Sequence, residues 1–352
     1  MSTDNPLQDI QNDLERHRRE AASLGRKAAF GDEVRAVTDR VAKHREIHAE
    51  VERLRARGWV WDPAWEATLA DLSARADDVV RDLRQESSRA SERIQKRLDG
   101  IEANLNRLSP SVAIKNTLEA LERELESVED DVQTVEQRID EIAAPVVGPH
   151  DALLAQQKEA DTHLDRFEAA KFKLGVGEQP WLTVDATWED SPNGKLNGFL
   201  YFTDKRVRFE HKETVVTKKF LFFTASSEEK HELLLDEPVG HLAGSEDNTR
   251  GLVFKDQLLE LKWTREARYP ATRFDVNTGY AKDWDERIES LRAGTLDHLR
   301  IAGAAAASPS SGMPVDVPTV CVACSAALEA PVRGITALIC RFCGQRHDLR
   351  FS

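Results

Sequence analysis

Eight apolar residues, Leu118, Leu121, Leu125, Val128, Val132, Val135, Ile139 and Ile142, recur at alternating spacings of three and four. A helix keeps such positions on one narrow stripe only when the stripe follows a 3.5-residue period, so this segment must bury it against another helix. Glu119, Glu122, Glu124, Glu126, Glu129, Asp130 and Asp131 lie between them and give an acidic outer face. Solvent alone satisfies such a face; a docking role would require a cationic partner.

The rhythm extends upstream through Leu69, Leu72, Ala76, Val79 and Leu83, and through Ile94, Leu98, Ile101, Leu105 and Leu108. Leu14, Ala21, Leu24, Ala28, Val34, Val37, Val41, Val51 and Leu54 predict an earlier helix ending near Gly58. Ser109-Pro110 and Asp62-Pro63 each read as an N-cap followed by proline at the first helical position. Residues 1–173 are therefore expected to form an antiparallel helical, coiled-coil region able to self-associate. Trp59, Trp61 and Trp65 would plug one end of it. His44 and His48 lie four apart, but Arg45 stands where a zincin needs glutamate, so they read as polar layers of the seam. Pro145, Gly148 and Pro149 predict a break, followed by a short helix over residues 151–173.

Beyond Gly177 the pattern changes to period-two alternation. Strands are expected at 181–188, 196–203, 206–211, 220–224, 232–235, 251–254 and 258–263, then a helix at 283–293 presenting Trp284, Ile288 and Leu291. The run Asn197-Gly198-Phe199-Leu200-Tyr201-Phe202-Thr203-Asp204-Lys205-Arg206-Val207-Arg208-Phe209 resembles the signature of bacterial GRAM and PH-like domains. That resemblance covers about 178–294. It implies a PH-like β-barrel with a C-terminal helix, in which Thr203 and Asp204 make a hairpin turn and Arg206 opens the next strand. It also implies a docking domain for proteins or lipid headgroups. Lys205, Arg206, Arg208, Lys218 and Lys219 are the candidate lipid- or partner-binding residues, although acidic residues such as Glu210, Glu213 and Asp236 are interleaved with them.

After this β domain (178–298), residues 299–318 read as a flexible linker of alanine, serine, glycine and proline. All four cysteines follow, as Cys321-Val-Ala-Cys324 and Cys340-Arg-Phe-Cys343. Two Cys-x-x-Cys pairs at this separation can close two tight turns and complete a tetrahedral thiolate shell for one structural zinc ion. Ser325 and Gly344 suit the residue after each pair. The stretch Thr319–Phe351 resembles a zinc ribbon. Four thiolates leave no open coordination position, which argues against a catalytic metal. His347 could replace a thiolate, but with four cysteines present it reads as an exposed histidine.

The expected fold class is thus multidomain α+β: helical region, PH-like domain, linker and zinc ribbon (319–352). A net charge of −13 argues against a protein that coats nucleic acid. No P-loop, dinucleotide fingerprint or nucleophile elbow occurs, and no nucleophile stands beside a base. No secretory leader or membrane span is read, so a cytoplasmic location is expected. These features point to a non-enzymatic adaptor or scaffold with protein partners. Two alternatives stay open: a nucleic-acid-associated regulator reading through the ribbon, and a membrane-associated stress or remodelling factor.

Overall fold

The computed structural model describes residues 6–220, 223–247, 258–276, 281–301, 316–331, 335 and 337–350. The side chains of 6, 214–220, 223–229, 247, 281–283 and 297 lie outside that description. The expected strand at 251–254 and most of the linker also lie outside it. The chain divides into two compact units: residues 1–50 with 65–155, and residues 51–64 with 156–352.

Among the described residues, five α-helices precede the sheet: α1 (Pro6–Lys27), α2 (Gly31–Ala42), α3 (His44–Ala56), α4 (Trp65–Arg107) and α5 (Lys115–Ala169). In the first unit α1 and α2 pack on α4. Leu118, Leu121, Leu125, Val128, Val132, Val135 and Ile139 are all buried, as the period requires. Burial then passes to Ala143, Val146 and His150 instead of Ile142. Two successive steps of four move the stripe by one position, a local departure from the heptad. In α4, Ser87 and Ala90 bridge the two expected runs, so both belong to one 43-residue helix.

Four expectations need correction. The first helix is three: Phe30, left-handed at φ 49° and buried, ends one turn of the path, and Lys43 ends the next. The break at Pro145 and Pro149 is absent, because both lie inside α5. Each removes one amide and leaves the carbonyl four residues earlier without a helical donor. Pro145 and Pro149 are exposed, as is Glu141, so water can serve the carbonyls of Glu141 and Pro145, while the apolar side of the helix stays continuous. Asp62 has φ 58° and does not cap α4, which starts at Trp65; nor does a helix restart at Pro110. The seam of α3 uses His44, Ile47, Val51 and Leu54, and His48 is exposed.

His44 meets His150 instead, with ring centroids 5.6 Å apart. Both Nε2 atoms are buried without a hydrogen bond, and His150 Nδ1 contacts Asp151 Oδ1 at 3.0 Å. Asp151 is in turn paired with Arg40. Burial, followed by the neighbouring His150, pulls the pKa of His44 below its ordinary 6.5. The stability this group contributes is therefore present above about pH 6.5 and lost as pH falls through the lower folded value. Urea titrations of the His44→Phe variant should show a flatter loss of stability between about pH 7 and pH 5 than the parent. An unchanged slope would assign the acid sensitivity elsewhere.

Among the described residues, the main sheet of the second unit has seven antiparallel strands: β1 (Pro180–Trp188), β2 (Leu196–Thr203), β3 (Arg206–Phe220), β4 (Phe223–Pro238), β5 (Leu242–Asp247), β6 (Leu258–Trp263) and β7 (Ala271–Val276). Their order is β4-β3-β2-β1-β7-β6-β5. Helix α6 (Ala281–Ala293) packs on β5 and β6, burying Trp284, Ile288 and Leu291. The core centres on Trp188, Phe209 and Phe274, whose ring centroids lie 5.4–5.7 Å apart. Such tilted and edge-to-face contacts add to the burial of the rings.

The sheet is not a closed barrel among the described residues: β4 and β5 are its edges, turned apart at Val239–His241. The β3–β4 arm is also much longer than expected, since its charged outer half hides the alternation. Thr203 does end β2 and Arg206 opens β3. Thr203 Oγ1 accepts the amides of Lys205 and Arg206 at 3.2 and 2.8 Å, which fixes the turn. Gly198 is required where it stands, because a Cβ there would fall 2.1 Å from the Glu210 carbonyl oxygen.

Candidate metal centre

Two short hairpins present the cysteines. In the first, the Ser325 amide donates to Cys321 O at 2.8 Å and the Cys321 amide donates to Ala326 O at 2.8 Å. The second repeats this: Gly344 to Cys340 O at 2.8 Å, and Cys340 to Gln345 O at 2.9 Å. Ser325 and Gly344 hold φ of 58° and 76°. This left-handed turn is strained for most side chains and free for glycine. Strands β8 (Ala337–Ile339) and β9 (Arg346–Asp348) pair behind the second hairpin.

The turns converge all four sulfurs within 4.8 Å of one another. Cys321 Sγ lies 3.5 Å from Cys343 Sγ, and Cys324 Sγ 3.5 Å from Cys340 Sγ. These spacings are too long for disulfides, whose sulfurs stand about 2 Å apart. Tetrahedral Zn–S bonds of about 2.3 Å separate sulfurs by roughly 3.8 Å, so the cluster could hold such an ion. Among the described residues no other group of three or more metal-capable side chains converges in this way.

The electrostatics ask for a cation. Burial opposes ionisation of Cys321, but His347 and the amides of Cys324 and Ala323 outweigh it and bring the thiol down to about 6. The amides of Cys343 and Phe342 lower Cys340 in the same way. Cys324 is pushed up to about 12: the Ala326 amide favours its thiolate, yet the neighbouring sulfurs, Cys343 first, prevail. Cys343 is raised likewise, the Gln345 amide notwithstanding. Four thiolates this close cannot coexist without a positive charge between them.

His347 departs from expectation. It is buried on the inner side of β9, opposite Leu338, and its Nε2 is 3.3 Å from Cys321 Sγ. The alternation of Arg346, His347, Asp348 and Leu349 contained this signal, since His347 and Leu349 share the covered face.

Three of the basic candidates, Lys205, Arg206 and Arg208, are engaged within the fold. Lys205 Nζ donates to Val176 O at 3.1 Å. Arg206 holds Asp236, and Arg208 forms two bonds to Glu178 at 2.5 and 3.0 Å while lying over the Phe172 ring. Glu178 is buried, which would raise its pKa, but Arg208 and Thr203 bring it below the ordinary glutamate value. The backbone of Lys218 and Lys219 belongs to β3, and their side chains lie outside the described residues. Arg206 and Arg208 are thus committed to carboxylates of the fold, a role that the interleaved acidic residues foreshadowed.

No helix among the described residues is long and apolar enough to cross a membrane. No family model matches the chain. No curated protein matches it either. Solved structures similar to it include the DH/PH domain of human ARHGEF11 in a ternary complex with human RhoA and its inhibitor. That match has 13% identity over 82% of this chain and 94% of that one, at a TM-score of 0.29. Another is the DH/PH fragment of PDZRHOGEF bound to human RhoA, with 13% identity, coverage of 83% and 96%, and a TM-score of 0.27. TM-scores this low describe no shared overall fold, and neither match bears on what this chain binds.

Proposed function

We propose that the chain is a non-enzymatic adaptor whose C-terminal module is a zinc ribbon used to grip a protein partner. The observation that carries this reading is the convergence of the four cysteine sulfurs on two matched turns. Four thiolates fill a tetrahedral shell, so the ion would build a surface and leave no position for substrate. Zinc suits the donor set best, because thiolates in tetrahedral array select it over harder divalent ions. Within the module Arg341 pairs with Glu329 and Arg346 with Asp348, which supports a protein-binding surface over a phosphate-binding one.

In this reading the helices of residues 1–173 form a coiled-coil assembly region, and residues 178–298 a PH-like domain of GRAM type. Residues 299–318 act as tether and 319–352 as the grip, all in the cytoplasm. The strand order and the helix after the last strand support the PH-like assignment. The test is affinity capture from native cells with the parent chain and with Cys321→Ser/Cys340→Ser. A partner retained by the parent and lost by the variant is the expected result. Equal capture by both would remove the grip, and a salt-dependent nucleic acid in place of a protein would remove the adaptor reading.

A further inference from the structure

A cleft of about 350 Å³ opens in the second unit where residues 59–62, the last turns of α5, β1 and the segment after α6 meet. Its apolar walls include Trp59, Trp61, Trp181 and Leu296. The loop that forms one side is held from behind: the Arg55 guanidinium donates to the carbonyls of Trp59, Trp61 and Asp62. Asp62 takes the left-handed conformation there and lines the cleft. Strained non-glycine residues of this kind concentrate at binding sites.

Three formal charges line the described part of the cleft. Glu159 and Arg287 pair at 2.8 Å and cancel. Asp62 has no direct ion-pair partner: Oδ2 accepts the Trp59 indole N–H at 3.1 Å, and no described residue donates to the other oxygen. Burial holds its carboxyl above the ordinary aspartate pKa, while Trp59 and the more distant Arg55 and Arg287 favour its charge. His163 supplies a further polar atom. Its ring stacks on Trp59, and its Nδ1 accepts the Thr183 amide at 3.2 Å, so the proton of the neutral ring sits on Nε2. That atom is buried and directed at Glu159 Oε1, 3.6 Å away, and this contact is the first cause that brings Glu159 down to about 2.

We propose that this cleft binds a small organic cation, a primary ammonium or guanidinium on an aromatic or alkyl body, with its charge on Asp62 and its body against Trp59 and Trp181. An anion would face the Asp62 carboxylate, with Arg287 already engaged by Glu159. A purely apolar guest would strip water from the free Asp62 oxygen and return no hydrogen bond. A cation satisfies that oxygen and is attracted by indole faces as well. The volume lies near the lower end of small-molecule sites and also suits a single lysine or arginine side chain. The Trp cluster therefore does more than close the end of the helices.

Calorimetric titration of the full chain with four probes tests this. Phenethylamine should bind about tenfold or more tightly than its neutral analogue 2-phenylethanol, and 3-phenylpropionate should not bind. Asp62→Asn keeps an acceptor for the Trp59 indole and tolerates the left-handed turn, and it should erase the gap between amine and alcohol. Ser290→Trp, which obstructs the cleft, should remove binding of both. Nα-acetyl-lysine amide, which keeps its ε-ammonium, separates the two sources: tighter binding than phenethylamine points to a protein side chain, weaker binding to a free amine. Equal affinity for amine and alcohol, a gap that survives in Asp62→Asn, or no amine binding at millimolar concentration would overturn the proposal.

Discussion

Chelation should release one zinc ion per chain and unfold residues 316–350 while the transition of the seven-stranded sheet stays in place. The segment cannot hold itself together. Its strands β8 and β9 have three residues each, and among the described residues Leu338, Leu349 and His347 are the main non-cysteine side chains it buries. Burying an aliphatic side chain yields about 1.5–3 kcal/mol, whereas ordering each residue costs about 1–2 kcal/mol of backbone entropy. A structural zinc site contributes on the order of 10–16 kcal/mol, enough to reverse that balance. Cys321→Ser or Cys340→Ser should therefore lose the ion and the protection of amides in both turns against hydrogen exchange. Metal analysis beside exchange mass spectrometry reads both effects. Metal-free protein with fully protected turns would contradict the expectation.

Arg300→Met should destabilise the second unit by about 3–5 kcal/mol, the usual effect of removing one member of a buried ion pair. Arg300 and Asp204 pair at 2.6 Å with side chains 4% and 2% exposed, and Arg300 also lies over the Trp61 ring. Burial drives the Asp204 carboxyl above its ordinary pKa, although the Gln179 amide and Arg300 both favour its charge. Without Arg300 that carboxylate would keep the Gln179 amide but lose the guanidinium that meets its other oxygen in a dry site. Adding Asp204→Asn to Arg300→Met removes the uncompensated charge and keeps an acceptor for Gln179, so part of the loss should return. Urea unfolding of the two single variants and the double variant forms the cycle. A double variant as unstable as the sum of the singles would show that the pair is not coupled.

The features readable from sequence were those in which side-chain identity and period agree. Leu118 to Ile139 were legible because apolar residues alone occupy the stripe. The shift to Ala143 was hidden because Ile142, Ala143 and Val146 are all apolar and several registers fit. The prolines of α5 misled because local chemistry disfavours a helix there, and only the tertiary burial of Val146 and His150 carries it through. In the sheet, β2 and the Thr203 turn stood out, while β5 has the weak sequence Leu-Ala-Gly-Ser-Glu-Asp. Strand β7 was findable: Thr272, Phe274 and Val276 alternate inward after Pro270. The convergence of the four cysteines was almost fully legible because their turns are local. The cleft was not, since Asp62, His163 and Arg287 are far apart along the chain and belong to no motif.

Arg300 and Ile301 join the loop at residues 60–61 through a β-bridge and an amide bond to Val60 O, and the Trp61 indole donates to Pro180 O at 2.6 Å. A growing polypeptide makes Trp61 more than two hundred residues before its partner at 300 leaves the ribosome. The loop must therefore wait, exposed, until late in synthesis, and this closure belongs among the slow, long-range steps of assembly. A fragment cut at 178 and 298 would lack both sides of that clasp and the aspartate-to-arginine lock beneath it. Such a piece would emerge with Pro180 and Asp204 stripped of their covers, and would tend to cling to chaperones.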